Sequence, residues 1–299
     1  MNLDIKASSF CKASQVVIPD LFYKRFKTGA EDLDVAFGGE GFLPGMSFTL
    51  AGTPGCGKTT MLLQTLEMLE KQGKKTAYIS AEETIYQLAF TTKRLNLTNL
   101  RLANMNVIED IFDEIAANKF DIVILDSLPA LRSKMGMRKM ALEMYLSDYI
   151  TSHAKKLNVV VGVILHCTKS GNYKGSTLFP HSVDANIMMK RNDDDDSLRE
   201  IESTKNRYGQ TGVVIFPMTA EGFEFKKVEQ KEETPKKTKS TLLGESIIDF
   251  VEEHKSINPA QAAEILGDVG LVHRIMRDLV NGGILEKQGK GPNATWIIE

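Results

Sequence analysis

Apolar positions along the chain alternate between short unbroken runs and stretches with helical spacing. Phe48-Thr-Leu-Ala51 is a short apolar run followed by a glycine-rich turn. From Lys58 to Gln72 the residues Met61, Leu62, Leu66, Met68 and Leu69 recur close to the helical period. Thr76–Ser80 predicts a strand, and Ile85–Leu95 a helix. Ile108–Asn118 predicts another helix, with Ile108, Ile111, Phe112 and Ile115 on one face. Ile122–Leu125 is an apolar strand that ends in Asp126, Met140–Leu157 is helical, and Val159–Leu165 reads as a buried strand. Unbroken apolar strands set between helices specify an α/β fold with a mainly parallel sheet covered on both faces. After Val183 the pattern changes. Ala185–Met189, Leu198–Ser203, Val213–Phe216 and Gly222–Phe225 are strand-like with short connections, and they extend the same sheet.

One stretch interrupts this order. Glu229–Ser240 (EQKEETPKKTKS) has mixed charge, a proline and no large apolar residue, so it cannot bury enough surface to fold and reads as a linker. It separates a core at 1–228, with 1–22 as an N-terminal arm, from a tail at 241–299. In the tail, Leu243–Glu253 is amphipathic, Asn258-Pro259 starts a second helix with proline at its first position, and Leu271–Val280 forms a third. Ile284-Leu285 and Thr295–Ile298 predict strands joined by a glycine-rich turn. Three helices and such a hairpin outline a small winged-helix-like domain.

Composition narrows the possibilities. The chain has 299 residues, of which 42% are hydrophobic and 25% charged, which excludes a wholly disordered or fibrous protein. Its longest apolar run, Val159–Cys167, is too short to span a bilayer, and the N-terminal residues carry no apolar core of signal-peptide length. Cys11, Cys56 and Cys167 form no CxxC pair, so neither a cysteine-built zinc site nor a disulfide framework is expected, and a reducing cytoplasm fits. With 37 Lys and Arg against 39 Asp and Glu, any nucleic-acid binding must come from local patches. The run Asp193–Asp196 allows either a cation site or a solvated hairpin tip, and hydration of adjacent charges favours the tip.

The sharpest signal is Gly52-Thr53-Pro54-Gly55-Cys56-Gly57-Lys58-Thr59, followed by Thr60. It matches G-x-x-x-x-G-K-[ST] between a predicted strand and a predicted helix. The glycines let backbone N–H groups wrap phosphates, and the helix points its positive end at them. Lys58 supplies a cation to the terminal phosphates, and Thr59 is placed to ligate Mg²⁺. Asp126, ending an apolar strand two helices later, is expected to hold the Mg²⁺ shell. Glu82, with Glu83 in reserve, stands at the end of the TAYIS strand, where a carboxylate can orient and deprotonate the attacking water. ATP and Mg²⁺ are therefore the expected cofactors.

Together these residues resemble the RecA-type ATPases, and within them the bacterial RadA family. The resemblance runs over about 23–224. It begins at Phe26-Lys-Thr-Gly-Ala-Glu-Asp-Leu-Asp-Val-Ala-Phe-Gly-Gly39 and includes the phosphate loop, Tyr78–Thr84, Ile124–Ser127 and His166–Lys169. It also includes Lys205-Asn-Arg-Tyr-Gly209, similar to the family's KNRFG signature with Tyr208 in place of Phe. The resemblance implies a RecA-like P-loop ATPase core. It implies that Glu82 activates water and that His166 senses the γ-phosphate. It also implies that Lys205 and Arg207 reach the nucleotide of a neighbouring subunit in a hexameric ring or filament.

Two loops are candidates for single-stranded DNA. Arg132–Lys139 offers Arg132, Lys134, Arg138 and Lys139 with no acid. Lys169–Lys174 offers Lys169, Lys174 and Tyr173, which can stack on a base. The expected function is an ATP-driven, single-strand-binding motor of recombination, repair or replication. The alternatives are a replicative hexameric helicase, a strand-exchange recombinase, or a KaiC-like regulatory ATPase without a motor role. Only Cys11 precedes Gly52, so the family's four-cysteine zinc finger is not expected. The winged-helix-like tail stands where the family carries a Lon-protease-like domain. A core refitted in this way suggests a bacteriophage or mobile-element relative. The tail holds five Lys and Arg against nine Asp and Glu, a net of −4. Arg274, Arg277, Lys287 and Lys290 could still form a local basic face, which leaves a protein-docking module and a DNA reader both open.

Overall fold

The structure, a computed structural model, describes residues 12–168, 178–226, 239–266, 272, 275–277, 279–280, 284–289 and 294–298. The chain divides into two compact units, Met1–Val228 and Glu229–Glu299.

The first unit is built on one nine-stranded sheet. Its strands are β1 (Ser47–Gly52), β2 (Thr76–Ser80), β3 (Leu102–Asn104), β4 (Ile122–Asp126), β5 (Val160–His166), β6 (Ala185–Arg191), β7 (Leu198–Asn206), β8 (Gly212–Thr219) and β9 (Gly222–Phe223). They lie in the order β3-β2-β4-β5-β1-β6-β7-β8-β9. From β3 through β6 every pairing is parallel, and from β6 through β9 every pairing is antiparallel. The helices are α1 (Glu31–Ala36), α2 (Lys58–Lys71), α3 (Ile85–Arg94), α4 (Ile108–Asn118), α5 (Lys139–Leu157) and α6 (Leu178–Ser182). Two separate apolar cores cover the two faces of the sheet. One joins Leu33, Leu62, Leu66 and Leu88 of α1–α3 to Leu50, Tyr78 and Ile164. The other joins Ile111, Phe112, Leu146, Ile150 and Phe179 of α4–α6 to Val123, Leu125 and Val163. The unbroken apolar strands are explained by this double burial.

Packing also fixes the strand ends. Phe37, Phe42 and Phe48 form a ring cluster with centroids 4.6–5.5 Å apart. Gly162 in β5 makes room for it, since a Cβ there would stand 2.4 Å from the Phe48 ring. Three short elements, α1, β3 and α6, have no counterpart in the sequence pattern. β9 ends at Phe223, where the pattern extends the strand to Phe225.

Described by itself, the second unit contains α7 (Lys239–His254), α8 (Pro259–Leu266) and an antiparallel hairpin of β10 (Glu286–Gln288) and β11 (Thr295–Ile297). Residues 272, 275–277 and 279–280 are helical. Ile247, Val251, Ile257, Ile275, Met276 and Trp296 share its core. The first hairpin strand runs Glu286–Gln288 rather than Ile284–Leu285, because Leu285 turns into the core ahead of the paired segment.

Candidate active site

β1 hands the chain to α2 through the loop Gly52–Gly57, and two glycines make that turn possible. Gly55 (φ +74°) and Gly57 (φ +107°) adopt left-handed backbone, and Gly57 is the residue before the first turn of α2. Gly52 is closed in differently. A Cβ there would lie 2.3 Å from the Met189 carbonyl of β6 and 2.9 Å from the Cys56 sulfur. Lys58 is 6% exposed, and its Nζ donates to the carbonyls of Gly52 and Thr53, both at 3.0 Å. The ammonium therefore folds back over its own loop.

A cavity of about 370 Å³ opens above the loop. Pro54, Gly55, Gly57, Lys58, Thr59 and Thr60 form its floor, while Glu82, Glu83, Asp126 and His166 face them with Ile164 and Met218. Thr53 and Cys56 belong to the loop but do not line this cavity, and the Cys56 thiol is packed into the core beneath it.

The acidic wall is held from behind. Tyr78, fully buried in β2, donates its hydroxyl to Asp126 Oδ2, and Thr59 Oγ1 lies 3.4 Å from the same oxygen. Ser127 Oγ donates to Glu82 Oε1, across the cis peptide that joins Asp126 to Ser127. His166 Nε2 is 3.6 Å from Glu82 Oε1, and its buried Nδ1 has no hydrogen-bond partner among the described residues. Glu82 and Glu83 both offer their backbone N–H to Ser80 Oγ, and Thr84 starts α3 with a capping box closed by Gln87. Burial pushes the Asp126 carboxyl above its ordinary value, against the hydrogen bond from Tyr78, and the Glu82 charge adds to the rise. Burial followed by the charges of Asp126 and Glu82 raises Glu83 as well. A hydroxyl and a buried carboxylate raised in this way fit a divalent cation, which would relieve the crowding of negative charge. The N–H groups of the loop fit phosphate. No cluster of three or more His, Cys, Asp or Glu side chains suited to a metal occurs among the described residues. A cation held by Thr59 and Asp126 would complete its shell with water and phosphate oxygens, as Mg²⁺ does.

Lys205 and Arg207 are not in this cavity. They lie at the far end of the sheet. Arg207 Nη1 is 3.2 Å from Asp184 Oδ1, and the other oxygen of this buried carboxylate accepts from Ser47 N and Ser47 Oγ. Lys205 Nζ donates to the carbonyls of His181 and Val183, and burial, with the charge of Arg207, lowers its pKa. Ser47 starts β1 and Gly52 ends it, so about 17 Å of strand separates these cations from their own loop. The turn that carries them is locked. Asn206 Nδ2 donates to Phe37 O, Asn206 Oδ1 accepts from Tyr208 N, and a Cβ on Gly209 would stand 2.4 Å from Gly38 O.

The loop after β4 is less free than its composition suggests. Arg132 is exposed, but Lys134 Nζ pairs with Asp110 at 2.5 Å, and Glu109 accepts from Ser133 Oγ and Lys134 N. Acids missing from the loop itself are thus supplied by the first turn of α4. Arg138 is the residue before α5, and Lys139 is its first. Lys169, Tyr173, Lys174, Arg274 and Lys290 lie outside the described residues. Arg277 is exposed, and Lys287 Nζ sits 5.5 Å from the centre of the Trp296 ring. The run Asp193–Asp196 is a hairpin tip. Asn192 Oδ1 accepts from the N–H of Asp194 and Asp195, and Asp196 pairs with Arg191.

Tyr78, Ser127 and Arg199 support the site although the sequence pattern assigns none of them a role there. Arg199, 6% exposed in β7, donates Nε to the Cys56 carbonyl at 2.9 Å. It shares the inward face of β7 with Ile201 and Ser203, so a cation in phase with buried positions was the available signal. Tyr78 gave a similar one, as a hydroxyl inside an otherwise apolar strand.

Comparison with known proteins agrees with this architecture. The family profile described as "ATPase: KaiC" matches residues 26–151. The chain is 32% identical over 219 residues to the DNA repair protein RadA of Salmonella typhimurium, covering 71% of this chain and 46% of that protein. It is 33% identical over 211 residues to the DNA repair protein RadA of Aquifex aeolicus, covering 68% of this chain and 46% of that protein. The chain thus spans about half the length of these curated relatives. Among solved structures, one described as an ATPase domain superposes with a TM-score of 0.59 at 16% identity, covering 69% of this chain and 92% of that one. A DnaB-like replicative helicase, solved in a study of its interactions with primase, superposes with a TM-score of 0.59 at 15% identity, covering 67% and 61%. No helix among the described residues is long and apolar enough to cross a membrane. Residues 26–151 of the core thus resemble a KaiC-like ATPase domain of the RecA type.

Proposed function

We propose that this chain is an ATP-hydrolysing motor or recombination factor that acts on single-stranded DNA in the cytoplasm, in repair, recombination or replication. One observation carries the reading. Lys58, Thr59, Asp126, Glu82 and His166 surround a single cavity, while Lys205 and Arg207 sit about 17 Å of strand away from it. Two cations too far from their own site are what a composite site, shared between subunits, requires. In this reading Lys58 and the loop N–H groups hold the phosphates of ATP, and Thr59 and Asp126 hold the Mg²⁺ shell. Glu82, kept in place by Ser127, orients the attacking water and takes its proton. Lys205 and Arg207 of the adjoining subunit neutralise charge as the terminal phosphate leaves. His166, between Glu82 and the segment after β5, links the state of that phosphate to the DNA-contacting loop. Bound Mg²⁺ supplies charge neutralisation across the phosphates.

The relatives named as DNA repair proteins support DNA as the partner, as do the exposed Arg132, Arg138 and Lys139. The unit at 229–299 is proposed as a winged-helix-like module that docks a partner or DNA. A second reading, a regulatory ATPase without motor activity, draws on the pairing of Lys134 with Asp110, which weakens the basic loop.

Steady-state ATP hydrolysis without DNA, with single strands and with duplex tests the proposal, with Lys58→Ala as control. Stimulation by single strands that Lys58→Ala abolishes is expected. A rate indifferent to DNA would favour the regulatory reading.

A further inference from the structure

We infer that Arg199 is a positioning residue of the phosphate loop. Its buried guanidinium holds the Cys56 carbonyl outward and so keeps the neighbouring N–H groups aimed at the phosphates. The inference rests on reading this loop as an ATP site.

Arg199 stands on β7, yet its side chain ends at the loop between β1 and α2. Nε donates to Cys56 O at 2.9 Å, and Nη1 donates to Asp196 O at 2.6 Å and Leu198 O at 2.8 Å. It is 6% exposed, and no carboxylate among the described residues pairs with it. A buried guanidinium normally has an ionic partner. Here three carbonyl dipoles take that place, so the positive charge behind the loop is not cancelled. A loop whose N–H groups converge on an anion must turn its carbonyls the other way. Those carbonyls are met by cations. Lys58 faces Gly52 O and Thr53 O, Arg191 Nη2 lies 3.5 Å from Gly55 O, and Arg199 takes Cys56 O.

These three cations are not equivalent. Lys58 must leave its carbonyls to meet a phosphate. Arg191 is half exposed, distant and already paired with Asp196. Arg199 alone is buried and anchored on carbonyls outside the loop it meets. Its anchor is the hairpin tip, which the acidic run shapes. Asp195 Oδ1 accepts from Ser197 N and Ser197 Oγ, and this turn presents the Asp196 carbonyl to Arg199. The acidic run thus serves as scaffold for a cation rather than as a cation site.

A lysine keeps the charge but loses the fork that spans three carbonyls. Isothermal titration of Mg–ATPγS into the full-length chain reads the effect. Arg199→Lys is expected to weaken Kd about tenfold while kcat at saturating ATP stays within about threefold, the pattern of lost ground-state binding. Asp195→Ala, an exposed change that loosens the tip, is expected to weaken the same Kd by about twofold to threefold. A merely structural role would lower thermal stability with Kd unmoved. Wild-type affinity in folded Arg199→Lys overturns the inference, as does wild-type affinity in Asp195→Ala should Arg199→Lys not fold. A wild-type chain that binds no Mg–ATPγS overturns this inference and the ATP reading together. Wild-type affinity in the variants alone overturns only this one.

Discussion

Asp126 sits where a carboxylate is least comfortable, at the end of a strand buried along its whole length, 7% exposed and close to two other acids. Its raised pKa has a definite sign. The folded chain keeps this proton at pH values where the unfolded chain has released it. Stability therefore falls as pH rises from the ordinary carboxylate value through the folded one. Above its folded pKa the ionised group destabilises the nucleotide-free core. Asp126→Asn is thus expected to raise Tm by about 2–4 °C while abolishing Mg²⁺-dependent hydrolysis, an exchange of stability for function. A scanning calorimetry trace with unchanged or lower Tm would count against the assignment. Tyr78→Phe removes the hydroxyl that favours the ionised form. The acid limb of the hydrolysis profile should then move to higher pH, which a pH–rate series would detect. Glu82→Gln removes the proposed base but leaves the Ser127 contact with an acceptor, so kcat is expected to fall by about 10²-fold or more with nucleotide affinity retained.

At the scale of elements, the segment from 205 to 209 shows two jobs packed into one motif. Lys205 and Arg207 carry charge, while Asn206 and Gly209 fasten the turn to Phe37 and Gly38. Gly209→Ala forces a methyl group to within 2.4 Å of the Gly38 carbonyl, so backbone must move. A loss of about 1–3 kcal/mol is expected on denaturant unfolding, with activity lost beyond what the stability change explains. The phosphate loop, the Asp126 strand and the run of closely connected strands after Val183 were legible in the sequence, because each rests on local period and spacing. α1, β3 and α6 were not, since three to six residues hold too few positions to show a period. The fastening role of Asn206 was hidden for a different reason. Its partner lies 169 positions away and appears only when β7 folds beside β6. The same holds for Arg199 and Cys56, 143 positions apart, and for the acids of α4 that cover Lys134.

The core unit carries Glu82 and Asp126 at one end of the sheet and Lys205 and Arg207 at the other, so on the proposed reading a subunit holds both halves of a site without being able to join them. Repeating copies head to tail would bring the Arg207 end of one beside the Glu82 end of the next. This arrangement makes a prediction that no single-subunit mechanism shares. Glu82→Gln and Arg207→Ala should each be inactive alone. In an equal mixture, a site works when its own chain is the Arg207→Ala variant, which keeps Glu82, and its neighbour is the Glu82→Gln variant, which keeps Arg207. Random assembly gives each condition a chance of one half, so about a quarter of wild-type hydrolysis should return on mixing. The recovery should disappear when the subunits are diluted below their assembly concentration, and it should need co-refolding or exchange if preformed assemblies are stable. Mixing that restores nothing, with both variants folded and assembled, would place Arg207 within its own subunit's framework. In that case its pairing with Asp184, the carboxylate that also holds Ser47, would be its whole role.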